Sequence, residues 1–221
     1  MIHTWLHNKS NKNLILFFSG WGLDEIPFSH IKANNYDVLF IYDYTEVEFN
    51  DEIQRIAKAY DNCYIIGWSM GVYIAQKWVD EHPHIGIDYS IAINGTCTPF
   101  HKTKGIHPLL FKKTGDRLSE KNINSFYEKI IGEENLTVFE KHRPNRSLEN
   151  QKQEIYALLA ACTKQLTPKF NKVFISKEDQ IFTTQNQTNY WQDNYLELPL
   201  HHFVFYNWES WDELIEEAKS D

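Results

Sequence analysis

Apolar runs of strand length alternate with longer amphipathic segments along about the first hundred residues. Two of the amphipathic segments, residues 50–62 and 71–83, place apolar side chains at helical spacing, and Pro83 ends the second of them. This alternation of strand and helix predicts an α/β fold, with a mostly parallel sheet covered by helices on both faces. The strand candidates are almost continuously apolar, as buried parallel strands are: 13–18, 36–44, 62–68 and 87–95.

The same alternation returns near the end of the chain. Residues 171–179 and 194–200 are strand candidates, and residues 182–192 and the acidic segment 209–220 have helical patterns. These elements extend the predicted sheet and its helical cover.

The stretch 98–165 breaks the alternation. It contains short helical patterns, around 118–132 and 150–166, but no convincing strand. We therefore expect a helical lid insertion over 98–165 and a sheet core formed by residues 1–97 and 166–221. A chain of 221 residues, of which 42% are apolar, is long enough for one domain that carries such an insertion.

Charge separates these two regions further. Residues 101–152 carry 11 basic and 7 acidic residues, a net charge of +4, whereas the rest of the chain has 11 basic and 23 acidic residues, a net charge of −12. A positive segment on an otherwise negative protein suggests a recognition surface for an anionic partner, although an ordinary solvated helical face explains the same lysines. The overall charge of −8 argues against binding to nucleic acid or to an anionic membrane.

Cysteines and apolar runs indicate the compartment. Cys63, Cys97 and Cys162 are odd in number and far apart, so they predict buried, reduced thiols rather than a disulfide framework or a zinc site. The N-terminal segment has no apolar stretch long enough for a signal peptide, and the other apolar runs are far below membrane-spanning length. We expect a cytoplasmic protein.

The stretch YIIGWSMGVYIAQ places Ser69 between Gly67 and Gly71, after an apolar strand and before an amphipathic helix. This setting is typical of a nucleophile elbow, in which a sharp turn exposes the serine hydroxyl above the sheet. A G-x-S-x-G motif also arises by chance in chains of this length, so a plain tight turn is the alternative. The flanking strand and helix favour the nucleophile.

A nucleophilic serine needs a histidine to take its proton and a carboxylate to fix that histidine. Their order in this kind of fold is serine, acid, histidine, so both partners should follow the insertion. Asp179 lies just past a strand and before the turn QIF, and it is preferred to the adjacent Glu178. His202 leads into the apolar segment FVF and is preferred to the adjacent His201.

Two backbone amides are candidates for an oxyanion hole. One is the N–H of Met70, directly after the serine, and the other is the N–H of Trp21 in the loop FFSGWGLDE. The alternative is that SGWG is simply a turn. Trp21, Trp68 and Phe100 are also candidate apolar walls of a substrate pocket, although core packing is an equal use for such aromatic residues.

The chain resembles the α/β-hydrolase superfamily through SGWG, GWSMG, KEDQIF and HHFVF, which occur in that order. Within the superfamily, FFSGWGLDE, GWSMGVYIA and HFVFYNWESW together resemble the compact pimeloyl-[acyl-carrier protein] methyl ester esterases of biotin synthesis. This resemblance implies hydrolysis of the methyl ester that caps the carrier-bound pimeloyl chain. It implies no metal and no organic cofactor.

The resemblance also implies a partner, because an acyl carrier protein is strongly acidic. The basic insertion is where such a carrier would dock. The candidate contacts are Lys112, Lys113, Arg117, Lys141, Arg143 and Arg146.

Two features depart from the superfamily pattern. Ser19 stands where relatives often have a histidine before the oxyanion glycine, so different hydrogen bonds should hold this loop. The insertion is also short for a lid of four helices.

Two other functions fit the same residues. A thioesterase or a general short-chain carboxylesterase would use the same triad. A binding or scaffold protein on a hydrolase fold would leave the triad idle, against which stands the presence of every required residue type in the required order.

Overall fold

The computed structural model describes residues 1–220, in which seven strands form one sheet. The strands are β1 (Ile2–His7), β2 (Asn13–Phe18), β3 (Tyr36–Tyr42), β4 (Asn62–Trp68), β5 (Tyr89–Ile93), β6 (Lys172–Ser176) and β7 (Leu196–Leu198). Their order across the sheet is β1-β3-β2-β4-β5-β6-β7, and every neighbouring pair is parallel except β1 with β3. The prediction of a mostly parallel α/β sheet is confirmed.

Strand β1 is the strand that the hydrophobic pattern did not predict. It pairs antiparallel with β3 at the sheet edge, with a register irregularity between Trp5 and His7. Its side chains are exposed or half-buried, because an edge strand has little to pack against. A run of mixed polar and apolar residues with such weak burial carries no clear period-2 signal.

Eight α-helices complete the described structure. They are α1 (Asp51–Ala57), α2 (Met70–Glu81), α3 (Pro108–Asp116), α4 (Glu120–Ile131), α5 (Leu136–Lys141), α6 (Leu148–Ala161), α7 (Thr184–Trp191) and α8 (Trp211–Lys219). Polar side chains cap several of them: Ser119, Ser147 and Ser210 each accept a backbone N–H three residues into the following helix. These caps fix where α4, α6 and α8 begin.

The segment 98–165, called the helical insertion below, contains four α-helices, α3 to α6. The sequence predicted only the patterns that became α4 and α6. Helix α3 is entered through Pro108 and capped by the His107 side chain, and α5 has only 6 residues, too few for a periodic pattern. The expectation that the insertion is short for four helices is therefore corrected, because it holds four α-helices of 9, 12, 6 and 14 residues.

An aromatic core joins the central strands to the C-terminal helix. The ring of Phe17 in β2 lies 5.1 Å from those of Phe28 and Phe205 and 4.9 Å from that of Trp211 in α8, measured between centroids. This packing fixes the C-terminal segment against the middle of the sheet, close to the carboxyl ends of β2 and β4.

The remaining sequence expectations concern thiols and membrane spans. All three cysteines are free and buried, and burial raises the pKa of the Cys63 and Cys97 thiols to about 12. Within residues 1–220, no helix is both long and apolar enough to cross a bilayer.

Candidate active site

Ser69 lies in the sharp turn between β4 and α2. Its backbone is in a strained region, with φ 59° and ψ −124°, and its N–H donates to the Ile93 carbonyl at 2.9 Å. The flanking glycines are required by space: a Cβ at Gly71 would lie 2.0 Å from the Phe18 carbonyl oxygen, and one at Gly67 would lie 2.7 Å from the backbone of α2. This is the geometry of a nucleophile elbow.

His202 joins the serine to a carboxylate. Its Nε2 lies 2.9 Å from Ser69 Oγ and its Nδ1 lies 2.7 Å from Asp179 Oδ2. Because an ionised carboxylate only accepts hydrogen bonds, Nδ1–H donates to Asp179, and Nε2 is left to accept from the serine hydroxyl. All three residues are buried. The arrangement is able to remove a proton from Ser69.

Two further groups hold Asp179. The N–H of Ile181 donates to Oδ1 at 2.8 Å, and Nε2 of Gln187 in α7 donates to Oδ2 at 2.9 Å. Sequence reasoning did not identify Gln187, since a single glutamine in a helical pattern gives no signal of its role. With the Ile181 N–H and the Gln187 amide, each oxygen of Asp179 accepts a hydrogen bond besides the one from His202.

The adjacent residues Glu178 and His201 take other positions. His201 Nε2 lies 3.4 Å from Glu178 Oε2 and 3.6 Å from Glu134 Oε1, and both glutamates are largely exposed. His202 therefore faces Ser69 with Asp179 behind it, while their neighbours form a polar cluster at the surface. The structure thus brings Asp179 and His202, and not their neighbours, together with Ser69, and their catalytic roles stay a prediction.

The backbone of His202 is fixed from the sheet. Its carbonyl accepts from Trp68 Nε1 at 2.9 Å and from Asn94 Nδ2 at 2.8 Å. Asn94 has a positive φ of 47°, and its Oδ1 accepts from the Ser176 N–H at 2.7 Å, so it ties β5, β6 and the histidine loop together. Asn94 is a second supporting residue that the sequence analysis missed.

The loop after β2, residues 19–25, approaches the serine closely and is called the oxyanion loop below. A Cβ at Gly20 would lie 2.8 Å from the Trp68 ring and 2.9 Å from Ser69 Cβ, so only glycine fits there. Among the described residues, no protein acceptor pairs with the backbone N–H of Trp21 or of Met70. Both amides are available to a ligand oxygen beside Ser69.

Ser19, the departure from the superfamily pattern, is fully buried. Its N–H donates to the Ile41 carbonyl at 2.9 Å, and its own carbonyl accepts from the Tyr44 hydroxyl at 2.9 Å. The start of the oxyanion loop is thus tied to β3 and the segment after it.

A cavity of about 240 Å³ opens onto the serine. Trp21, Trp68, Met70 and His202 line it from the sheet core, as the sequence predicted for the two tryptophans. Phe100 does not line it and instead packs behind the wall, 5.1 Å from the Phe111 ring. Most of the opposite wall comes from the helical insertion: Ile106, Leu110, Phe111, Thr114, Phe126 and Lys129.

A second, wider groove of about 390 Å³ adjoins this cavity and shares Phe126 with it. The exposed residues Lys113, Arg117 and Lys129 line the groove. Lys113 and Arg117 were among the candidate carrier contacts. Lys129 was not among the candidate carrier contacts, although it lies within the positively charged residues 101–152.

The other basic candidates differ in their surroundings. Lys112 forms an ion pair with Asp116 within α3. Arg143 forms an ion pair with Glu140, and its guanidinium lies over the Tyr127 ring. Lys141 is exposed at the end of α5. These three remain on the surface of the helical insertion but outside the groove.

Arg146 is removed from the candidate carrier contacts. Its side chain is only 4% exposed and forms ion pairs with Asp43 at 3.1 Å and Glu154 at 2.7 Å. A guanidinium that is buried between two carboxylates has no free face for a partner. The sequence could not separate Arg146 from Arg143, because the partners of Arg146 are distant in the chain.

Comparison with known proteins identifies a matching family and a similar curated protein. A family model described as pimeloyl-ACP methyl esterase BioG matches residues 2–214. A malonyl-[acyl-carrier protein] O-methyltransferase of Bacteroides fragilis is 34% identical over 185 residues, which are 82% of this chain. The chain spans 37% of the length of that relative.

Solved structures share the fold over nearly the whole chain. The crystal structure of BioG from Haemophilus influenzae has a TM-score of 0.85 and 28% identity, and the match covers 97% of this chain and 99% of that one. An esterase from Exiguobacterium antarcticum has a TM-score of 0.67 and 15% identity, and covers 99% and 95% of the two chains. The second likeness concerns the α/β-hydrolase fold alone.

Proposed function

The chain belongs to the pimeloyl-ACP methyl esterase BioG family, and from this we propose that it is a serine carboxylesterase that hydrolyses the methyl ester of pimeloyl-[acyl-carrier protein] in biotin synthesis. The observation that carries the proposal is the pair of contacts from Ser69 Oγ to His202 Nε2 at 2.9 Å and from His202 Nδ1 to Asp179 Oδ2 at 2.7 Å. This array lies at the base of an apolar cavity.

The reaction begins when Ser69 Oγ attacks the ester carbonyl carbon and His202 Nε2 takes the hydroxyl proton. Asp179 stabilises the imidazolium that forms. The carbonyl oxygen becomes an oxyanion, which accepts hydrogen bonds from the backbone amides of Trp21 and Met70.

Collapse of this intermediate expels methanol, which leaves with the proton held by His202. Water then attacks the acyl-enzyme with His202 as the base. The product is a free carboxylate at the end of the acyl chain, and Ser69 recovers its proton. The triad side chains, the two backbone amides and a water molecule together supply this chemistry.

The shape and charge around the cavity support a carrier-borne substrate. The methyl ester lies at the end of the acyl chain remote from the carrier, so the chain must extend from the serine to the protein surface. The apolar wall of Leu110, Phe111 and Phe126 suits methylene groups, and the basic groove at Lys113 and Arg117 lies outside it. The Bacteroides relative is itself named for a carrier-bound acyl substrate.

The test is incubation of the wild-type protein with pimeloyl-carrier methyl ester, with Ser69→Ala as control. We expect methanol and pimeloyl-carrier from the wild type and no turnover from the variant. Release of the acyl chain from the carrier would instead identify a thioesterase. If simple esters are cleaved while the carrier methyl ester stays intact, the biotin assignment is lost.

A fluorophosphonate reagent tests the alternative of an idle triad. We expect covalent modification of Ser69 in the wild type. Failure to modify it would favour a binding protein on a hydrolase fold.

A further inference from the structure

The oxyanion loop forms hydrogen bonds to the helical insertion on the side away from Ser69. Gln151 of α6 accepts from Trp21 Nε1 at 2.8 Å through its backbone carbonyl, and its side-chain Nε2 donates to the Gly22 carbonyl at 2.9 Å. Glu154, about one turn further along α6, accepts from the Gly22 N–H at 3.1 Å. One helix therefore holds the Trp21 indole and the peptide groups on both sides of Gly22.

Glu154 is a fully buried carboxylate with three donors. Its Oε2 accepts from Gly22 N–H and from Arg146 Nη1, the latter at 2.7 Å, and its Oε1 accepts from Tyr44 N–H at 2.8 Å. A buried carboxylate is unfavourable unless such partners satisfy it. These bonds join the oxyanion loop, the segment after β3 and the helical insertion at one point.

The Trp21 amide lies between two fixed residues. On one side Gly20 is pressed against Ser69, with room for no Cβ. On the other side Gly22 is bonded to Glu154. The ring of Trp21 also packs edge-on against Phe126 of α4, at 4.9 Å between centroids. The direction of the Trp21 N–H thus depends on contacts from the insertion as well as from the sheet core.

We propose that Glu154, supported by Gln151, is a positioning residue for the Trp21 oxyanion donor. This inference rests on the proposed serine-esterase function but not on the identity of the acyl substrate. Its consequence is that α6 contributes to the catalytic geometry. A displacement of α6 from the loop would displace the donor as well.

Glu154→Gln tests the carboxylate with little change in volume. Glutamine offers one oxygen where the carboxylate offers two, and its NH₂ group would face either the Tyr44 N–H or the donors from Gly22 and Arg146. Two donors facing each other repel, so the loop must shift. Glu149→Gln, at an exposed position in the first turn of α6, is the matched control.

The experiment measures kcat and KM for p-nitrophenyl butyrate and the inhibition constant of butylboronic acid. The boronate forms a tetrahedral adduct with an active serine and so depends on the oxyanion hole. For Glu154→Gln we expect kcat to fall about 10- to 100-fold, KM to stay within about twofold, and the inhibition constant to rise by about the same factor as kcat falls. Glu149→Gln should match the wild type.

A folded Glu154→Gln protein with unchanged kcat and boronate affinity would overturn the inference and leave Glu154 a purely structural role. If that variant fails to fold, as judged by circular dichroism, Gln151→Leu decides: a normal kcat overturns the inference, and a loss of about three- to tenfold at normal KM supports it. Turnover of p-nitrophenyl butyrate without turnover of the carrier methyl ester would sink only the substrate assignment. A wild-type protein inactive on both esters and unreactive to the boronate would overturn both.

Discussion

The array of Ser69, His202 and Asp179 comes entirely from the sheet core, whereas the residues that a carrier protein would meet first lie on the helical insertion. In the core, parallel strands and a strained elbow hold the reacting atoms within about a hydrogen-bond length of one another. In the insertion, the apolar side chains of Leu109 and Leu110 are 69% and 61% exposed.

This difference fits the proposed division between chemistry in the sheet core and recognition on the helical insertion. Groups that move protons need fixed geometry, which buried strands supply. A surface for a large acidic partner needs exposed charge, which an insertion between β5 and β6 supplies. The Glu154 contact to the oxyanion loop is one point where the two regions meet. Substitutions on either side of this boundary should therefore differ in which substrates they affect.

The largest expected effect is in the core, at the proposed base. His202→Ala should lower kcat by about 10⁴-fold or more, equally on the carrier ester and on a small ester, because no group remains to take the Ser69 proton. His201→Ala is the matched control from the next position, and it should stay within about threefold of the wild type. Steady-state kinetics of both variants on both substrates make the comparison. A large loss in His201→Ala alone would reassign the base.

A smaller core effect is expected at Gln187, which donates to the Asp179 carboxylate from α7. Gln187→Leu should lower kcat about tenfold on both substrates, since a hydrogen bond to a charged group is worth about 1.5–3 kcal/mol. Gln185→Leu, exposed on the same helix, is the control and should leave kcat unchanged. An effect of Gln187→Leu on the carrier ester alone would mean that α7 serves recognition and not the triad.

On the insertion, charge reversal should separate the two substrates. Lys113→Glu combined with Arg117→Glu should lower kcat/KM for the carrier ester about tenfold at low salt and leave a small ester unaffected, because only the carrier carries many negative charges. The difference should shrink as ionic strength rises. Kinetics with both esters over a salt series measure it.

The control for this experiment carries the same change of charge on the opposite edge of the sheet. Lys12→Glu with Lys58→Glu alters two exposed lysines near the amino ends of the strands. An equal loss of carrier turnover in this control would show that net charge, and not the groove, attracts the carrier.

The core was largely predictable because its signals are local. The elbow needs a strand, a glycine-flanked serine and a helix in direct succession, and all three are visible around Ser69. Asp179 and His202 follow strands at the same edge of the sheet, where the topology brings residues together. Strand β1 was not predicted because an edge strand buries too few side chains to give a clear hydrophobic pattern.

The insertion was less predictable because its contacts join distant parts of the chain. Arg146 looks like any surface arginine until the fold brings Asp43 and Glu154 to it. Gln151 and Glu154 lie on a helix that the sequence predicted, yet their partner Gly22 is about 130 residues away. No periodic pattern records such a contact, so the link between insertion and oxyanion loop appears only in the structure.

The smallest expected effect is a pH dependence of stability at that link. Burial raises the pKa of Glu154 above its usual value of 4.5, although Arg146 and the backbone donors partly offset this. A raised pKa in the folded state means that stability from proton binding is present below the unfolded pKa and is lost as pH rises through the folded pKa. Glu154→Gln cannot lose this contribution.

The free energy of unfolding of the wild type relative to Glu154→Gln should therefore fall as the pH is raised from about 4 to 7. Urea unfolding at several pH values measures the difference, and the exposed Glu149→Gln should give a difference that stays flat. If the free energy of unfolding of the wild type relative to Glu154→Gln instead rises with pH, the ionised Glu154 stabilises the fold. If this relative free energy falls with pH and Glu154→Gln also loses kcat, burial of the carboxylate is costly for stability. The protein would then keep it because the oxyanion loop requires it.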